Sequence, residues 1–258
     1  NGAQISQALQ IPYSQFRGRG EGYSAGGALG LAVGALGGIY IAMDDTYLKP
    51  GRLIESEDPT VAAFARKVVG DESNETQKAL KLFYAVRDDV RYDAYLPLGD
   101  IESYSGKEAL VMGKGWCVSK AALLAACARA EGIPARPGYA DVRNHLATEK
   151  LTEAMGTDVF FWHSYCELLL DGKWVKCTPA FNKSLCDKFD LKTLDFDGKT
   201  DSLFHAYDKV GNKHMEYIHD RGPFIDVPFE DILATFRNEY RNMQDGIDGD
   251  FEADAAEE

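Results

Sequence analysis

The pattern of apolar and polar positions divides the chain near residue 132. Before it, apolar residues recur at helical spacing; after it, they alternate or run in short blocks cut by turn residues. "DPTVAAFARKVVGDE" predicts a short helix with Pro59 in its first turn and Gly70 as its stop. "SNETQKALKLFYAVRDDVRYD" predicts a longer amphipathic helix with Leu80, Phe83 and Tyr84, joined by Val86 and Val90, near one face. Ser105 can cap a short helix running to Met112, after which Gly113 and Gly115 break the chain ahead of Trp116 and Cys117. The next helix covers about residues 118–130 and is stopped by Gly132 and Pro134.

The second half reads as sheet. "ARPGYADV" predicts a strand, and "RNHLATEKLTEAMGTD" a long polar excursion with its own short helix after Thr148. "VFFWHSYCELLLDGKWVKCTPAF" is the clearest hairpin, two apolar runs joined by Asp171-Gly172, a favoured type I′ pair. A two-residue turn there sets Cys166 opposite Cys177, Tyr165 opposite Thr178 and His163 opposite Ala180. Because side chains alternate, His163, Tyr165 and Glu167 then share a face with Lys176, Thr178 and Ala180. "DSLFHAYDKVGNKHMEYI" allows a second hairpin, "PFEDILATFRNEYRN" a closing helix, and "DGIDGDFEADAAEE" an acidic, frayed tail. Helices first and strands after them predict an α+β fold.

Composition narrows the function classes. With 258 residues, 45% of them apolar, the chain can bury a full core, and residues 44–243 read as one domain between an extension, 1–43, and a tail, 244–258. The net charge of −13 argues against sequence-independent binding to nucleic acid or to an anionic membrane, both of which need basic surface. Five scattered cysteines with no CxxC pair read as reduced thiols of a cytoplasmic protein, and five histidines without HxxxH spacing give no metal-ligand geometry. No metal or organic cofactor is implied. Residues 24–43 form an uncharged Gly- and Ala-rich run, long enough for a membrane anchor. A translated upstream region preceding Met43 fits better, and a Gly-rich arm is the remaining reading; only the anchor would place the domain at a membrane.

Two residues carry candidate chemistry. A thiol attacks as its thiolate, and a helix N-terminus with an imidazolium partner is the usual way to lower its pKa. Cys117 stands at such a helix start, after glycines that let backbone N–H groups turn toward it, although a small buried residue would also fit there. His163, on a following strand, permits the Cys-His pairing, and Thr178 or Asn182 would orient the imidazole.

At these residues the chain resembles the transglutaminase-like superfamily, whose core is a papain-like cysteine-hydrolase fold. "GKGWCVSKAALLAACARAEGIPARPG" is similar to that family's Gly-x-x-Cys helix ending in Arg-Ala-x-Gly-Ile-Pro-Ala-Arg. "HSYCELLLDGKWVKCTPAF" is similar to its His-x-Trp-x-Glu, hairpin and Trp-Val-x-x-Asp-Pro. The resemblance covers about residues 47–189 and implies helices followed by an antiparallel sheet, with Cys117 as nucleophile and His163 as its base. It also exposes a departure: where the family has aspartate this chain has Thr178, whose hydroxyl can fix a tautomer but cannot stabilise an imidazolium by charge. Asn182 can orient the ring instead, or simply cap the helix begun by "NKSLCDKF".

The remaining candidates are weaker. Trp116 can line the acyl site or pack on the helix after it, and Tyr165 can shape a substrate groove or fill the core. Cys127 reads as core filler, Cys166 and Cys177 as facing thiols close enough for a disulfide, and His205, His214 and His219, with Tyr207 and Tyr217, as surface strand positions or a lid. Two functions follow. One is acyl transfer from a peptide, protein or small amide through a Cys117 thioester, with water favoured over an amine as acceptor, which makes the protein a peptidase or amidase more than a cross-linking enzyme. The other is a catalytically inactive module that binds a peptide or protein in the same groove.

Overall fold

The computed structural model describes residues 31–33, 39–41, 45–144, 148–188, 191–203, 215–240, 243 and 245–257. Two units separate by contact, residues 1–44 and 45–258. In the first, β1 (Leu31–Val33) and β2 (Ile39–Ile41) pair antiparallel; the rest of the uncharged 24–43 run lies outside the described residues. No described helix is long and apolar enough to cross a membrane.

The second unit opens with helices. In α1 (Pro59–Val69) the Asp58 carboxylate accepts the Thr60 N–H, and Gly70 ends the helix at φ +60°. In α2 (Glu75–Asp89) Asn74 caps the Gln77 N–H. Ser105 caps α3 (Gly106–Met112) through the Glu108 N–H, and Gly113 terminates it in the left-handed region. Each cap satisfies an N–H group that the helix itself leaves without an acceptor. The central helix α4 (Cys117–Ala130) is alanine-rich and buried on every side, as a helix in the middle of a core must be. It packs on α1, α2 and α3 along one flank and on the sheet along the other.

That sheet has the order β7-β6-β5-β8, with every neighbour antiparallel, built from β5 (Ala135–Asn144), β6 (Val159–Leu170), β7 (Lys173–Cys177) and β8 (Met215–Pro223). Between β5 and β6 lies α5 (Glu149–Met155), capped by Thr148. The fold is therefore α+β with a curled antiparallel sheet. Two motifs of the sequence tie the helix to the sheet and the sheet to itself. The buried Arg129 guanidinium donates to the carbonyls of Ala135, Lys49 and Ile225, while Arg136 pairs with Glu167 at 2.6 Å.

Two expectations need correction, and a third lies mostly outside the described residues. The hairpin register holds from Leu170–Lys173 to Cys166–Cys177, but the ladder stops there. The Thr178 N–H turns to the Ser202 carbonyl and Pro179 has no N–H to offer, so His163 lies opposite Ala140 of β5, not Ala180. The second expected hairpin falls largely on residues 204–214, with His205, Tyr207 and His214, which lie outside the described residues; its last residues belong to β8, which pairs with β5. The tail is not frayed: past α7 (Phe229–Glu239), residues 251–257 form α8 (Phe251–Glu257), with Phe251 seated edge-on against Tyr92 and Tyr95.

Candidate active site around Cys117

Cys117 is placed by a short chain of constraints. After Gly113, β4 (Lys114–Gly115) pairs in parallel with β3 (Arg91–Tyr92). Gly115 is needed because a Cβ there would stand 2.7 Å from Ser119 Oγ and 3.0 Å from Ala109 Cβ. Trp116 then takes an extended conformation, its N–H donates to Ser119 Oγ, and Cys117 becomes the first residue of α4. Trp116 both packs and lines: its indole N–H donates to the Ser103 carbonyl at 2.6 Å, its ring meets Tyr104 edge-on, and it borders the cavity beside the thiol.

His163 reaches the same cavity from β6. The strand is irregular there, with a bulge opposite Ala140–Val142 and Trp162 at φ +58°, a conformation that a bulky residue adopts only when its surroundings compel it. Asp141 supplies the compulsion: its buried carboxylate accepts the Trp162 N–H at 3.0 Å and both arms of Arg221 at 2.6 and 2.8 Å, while the guanidinium lies 4.2 Å from the Trp162 ring. The Trp162 indole is held in turn by Thr235 of α7. This clamp was missed in the sequence, where Asp141 and Arg221 are 80 positions apart and only the unusual backbone at Trp162 gives them a common purpose.

The cavity shared by Cys117 and His163 is small, about 30 Å³, and mostly apolar. Its walls include Tyr92, Phe161, Phe236 and Tyr240, with Met155 of α5 and Met243 closing over it. Cys117 is only 4% exposed. Burial pushes its thiol up to about 12, against which the backbone N–H groups of Ser164 and Val118 act by donating to the sulfur. The sequence points to a lowered pKa; burial reverses the direction, because apolar walls disfavour the thiolate more than the backbone N–H groups of Ser164, Val118 and Cys117 favour it.

The remaining candidates are not among the residues that line this cavity. Tyr165 does not line the cavity; it stacks over Gly138 on the face of Glu167, with the Lys176 amine 4.7 Å from its ring centre. Asn182 has both ends of its amide engaged, Oδ1 by the Tyr92 N–H and Nδ2 on Ser184 Oγ, so it ties β3 to the start of α6 (Lys183–Lys188). Thr178 is buried, and its hydroxyl makes no hydrogen bond among the described residues. Cys127, Cys166, Cys177 and Cys186 are free and buried. His219 lies on the exposed strand β8 with Tyr217. Among the described residues no three His, Cys, Asp or Glu side chains converge where a metal could sit.

Comparison with known proteins completes the picture. The chain is similar in structure to a proposed cysteine protease from Cytophaga hutchinsonii, at 23% identity and a TM-score of 0.40, over 52% of this chain and 40% of that one. It is similar also to a proposed protease from Parabacteroides distasonis, at 20% identity and a TM-score of 0.36, over 48% of this chain and 24% of that one. The chain thus spans less than half the length of either. No curated protein matches it. A family model described as the transglutaminase-like superfamily matches residues 62–179, the stretch from α1 through Thr178 that contains both Cys117 and His163. Over that stretch the chain is similar to the transglutaminase-like superfamily.

Proposed function

We propose that the protein is a cysteine hydrolase acting on amide or peptide bonds, with Cys117 as nucleophile and His163 as its base. The observation that carries the reading is that both side chains line one cavity while the N–H of Ser164, the residue after His163, donates to the Cys117 sulfur. His163 accepts the thiol proton, the sulfur forms a bond to the carbonyl carbon, and the carbon–nitrogen bond breaks as His163 gives that proton to the leaving amine. Water, giving a proton to His163, then attacks the thioester; the acid leaves and the thiol is restored. In this reading the backbone N–H groups at the start of α4 receive the oxyanion. Thr178 and Asn182 are the residues of the chain from which an orienter of His163 would come, and the amide of Asn182 is already engaged, which favours Thr178.

The test is incubation with peptide amides carrying a large apolar acyl residue, acid quench, and peptide mapping. The expected result is an acyl adduct on Cys117 and turnover lost in Cys117→Ser and reduced in His163→Ala. Peptide binding without adduct or turnover would refute the chemistry. It would favour the second reading, an inactive binding module, for which the closed cavity and the threonine in place of the family aspartate speak.

A further inference from the structure

The acidic C-terminal segment lies against basic residues drawn from three separate elements. Arg91 of β3 pairs with Asp250 at 3.2 Å, Lys188 of α6 with Glu252 at 2.7 Å, and Lys150 of α5 with Asp254 at 2.6 Å. Lys150 also donates to the Asp248 carbonyl, and its amine stands 5.0 Å from the Tyr95 ring centre. Backbone bonds lay the segment along the loop after β3: the Leu98 N–H donates to the Met243 carbonyl and the Ile247 N–H to the Tyr95 carbonyl. Gly246 and Gly249 permit this approach at φ +86° and +130°; a Cβ at Gly246 would meet the Tyr95 carbonyl at 2.8 Å. At the centre Phe251 inserts between Tyr92 and Tyr95, 5.4 and 5.3 Å from their ring centres.

Several of these anchors adjoin the walls of the Cys117 cavity. Met243 is itself a wall of it, Tyr92 is another, and Lys150 precedes Leu151, a third. We propose that Arg91, Lys150, Lys188 and the Tyr92–Tyr95 cleft form a binding site for an acidic peptide segment with one aromatic anchor. The chain's own residues 245–254, following Met243, occupy the site and thereby hold the cavity over Cys117 shut. The site is a local patch of positive charge on a protein of net charge −13, and its ligand class follows from what fills it: carboxylates spaced around a phenyl ring. The consequence for catalysis rests on Cys117 being the nucleophile; the binding of the segment does not.

The full-length variant Asp250→Lys/Glu252→Lys/Asp254→Lys tests this. Alkylation by iodoacetamide is followed at each cysteine by peptide mapping, with Cys127, Cys166, Cys177 and Cys186 as reporters of general loosening. The expected result is about tenfold faster reaction at Cys117 alone, the scale set by losing three partly exposed ion pairs together. A synthetic peptide of residues 243–257 should restore protection, and the same peptide with Phe251→Ala should not. Unchanged reactivity of Cys117, a rise at all five cysteines together, or no protection by the peptide would each overturn the proposal. Selective exposure of Cys117 without turnover of any peptide amide would refute the proposed chemistry and leave the strap standing; turnover as fast in the parent as in the variant would do the reverse.

Discussion

Lys120 offers the sharpest quantitative test of the structure. It lies one turn along α4 from Cys117, is fully buried, and its amine donates to the carbonyls of Arg87 and Val90 at the end of α2. Burial lowers its pKa to about 7; the charge of Asp88 works against that shift and the guanidinium of Arg87 with it, and Cys186 is the remaining titratable neighbour. In the unfolded chain the amine holds its proton up to about pH 10.4. Between these values the unfolded state carries the extra proton, so stability rises with pH by about 1.4 kcal/mol per unit and is lost as pH falls toward 7, about 5 kcal/mol over the whole window. Lys120→Met removes this dependence and deprives two buried carbonyls of their donor, at about 1–3 kcal/mol each. Urea unfolding followed by tryptophan fluorescence at pH 7.5, 8.5 and 9.5 should therefore show the parent well above the variant at the highest pH and the two converging as pH falls. Tyrosine and cysteine titrations cancel in the difference. Parallel curves would refute a neutral buried amine at this position.

Three further outcomes are expected. In the parent, Cys117 should alkylate slowly at neutral pH and accelerate only as pH rises toward the value of about 12 that burial imposes; rapid reaction at pH 6 would mean that the cavity stands open. Gly138→Ala should destabilise by about 1–3 kcal/mol in thermal melts, because its Cβ would stand 2.2 Å from the ring of the buried Tyr165; an unchanged melting temperature would show that Tyr165 is free to move. Thr178→Asp, which restores the family's aspartate, should raise turnover of a peptide amide by at least about tenfold, since a carboxylate stabilises an imidazolium where a hydroxyl cannot. A fall in turnover without loss of stability would remove Thr178 from the site.

Much of the framework is legible in the sequence because it is local. Ser105 and Thr148 announce their helices through side chains that reach only three residues ahead, and Asp171-Gly172 sets the β6–β7 register by itself. The site is half legible. Cys117 and His163 stand out by position, but what surrounds them comes from afar: the Asp141–Arg221 clamp behind Trp162, Met155 from the polar excursion, and Met243 from beyond α7. Long-range pairing also decides the partner of β8, since nothing local in its sequence points to β5. The tail misleads for a related reason, because its charge reads as solvation until Arg91, Lys150 and Lys188 are brought to it.

The sheet order β7-β6-β5-β8 bears on how the protein is made. By residue 177 the chain already contains α4 and the β5–β6–β7 meander, and with them both Cys117 and His163. The residues that roof the thiol, Phe236, Tyr240 and Met243, follow only after β8 has crossed to the far edge of β5. A chain emerging from its N-terminus therefore holds a solvent-accessible thiol for as long as its last third is missing, and closure waits on the pairings with the greatest sequence separation, which are also the slowest to form.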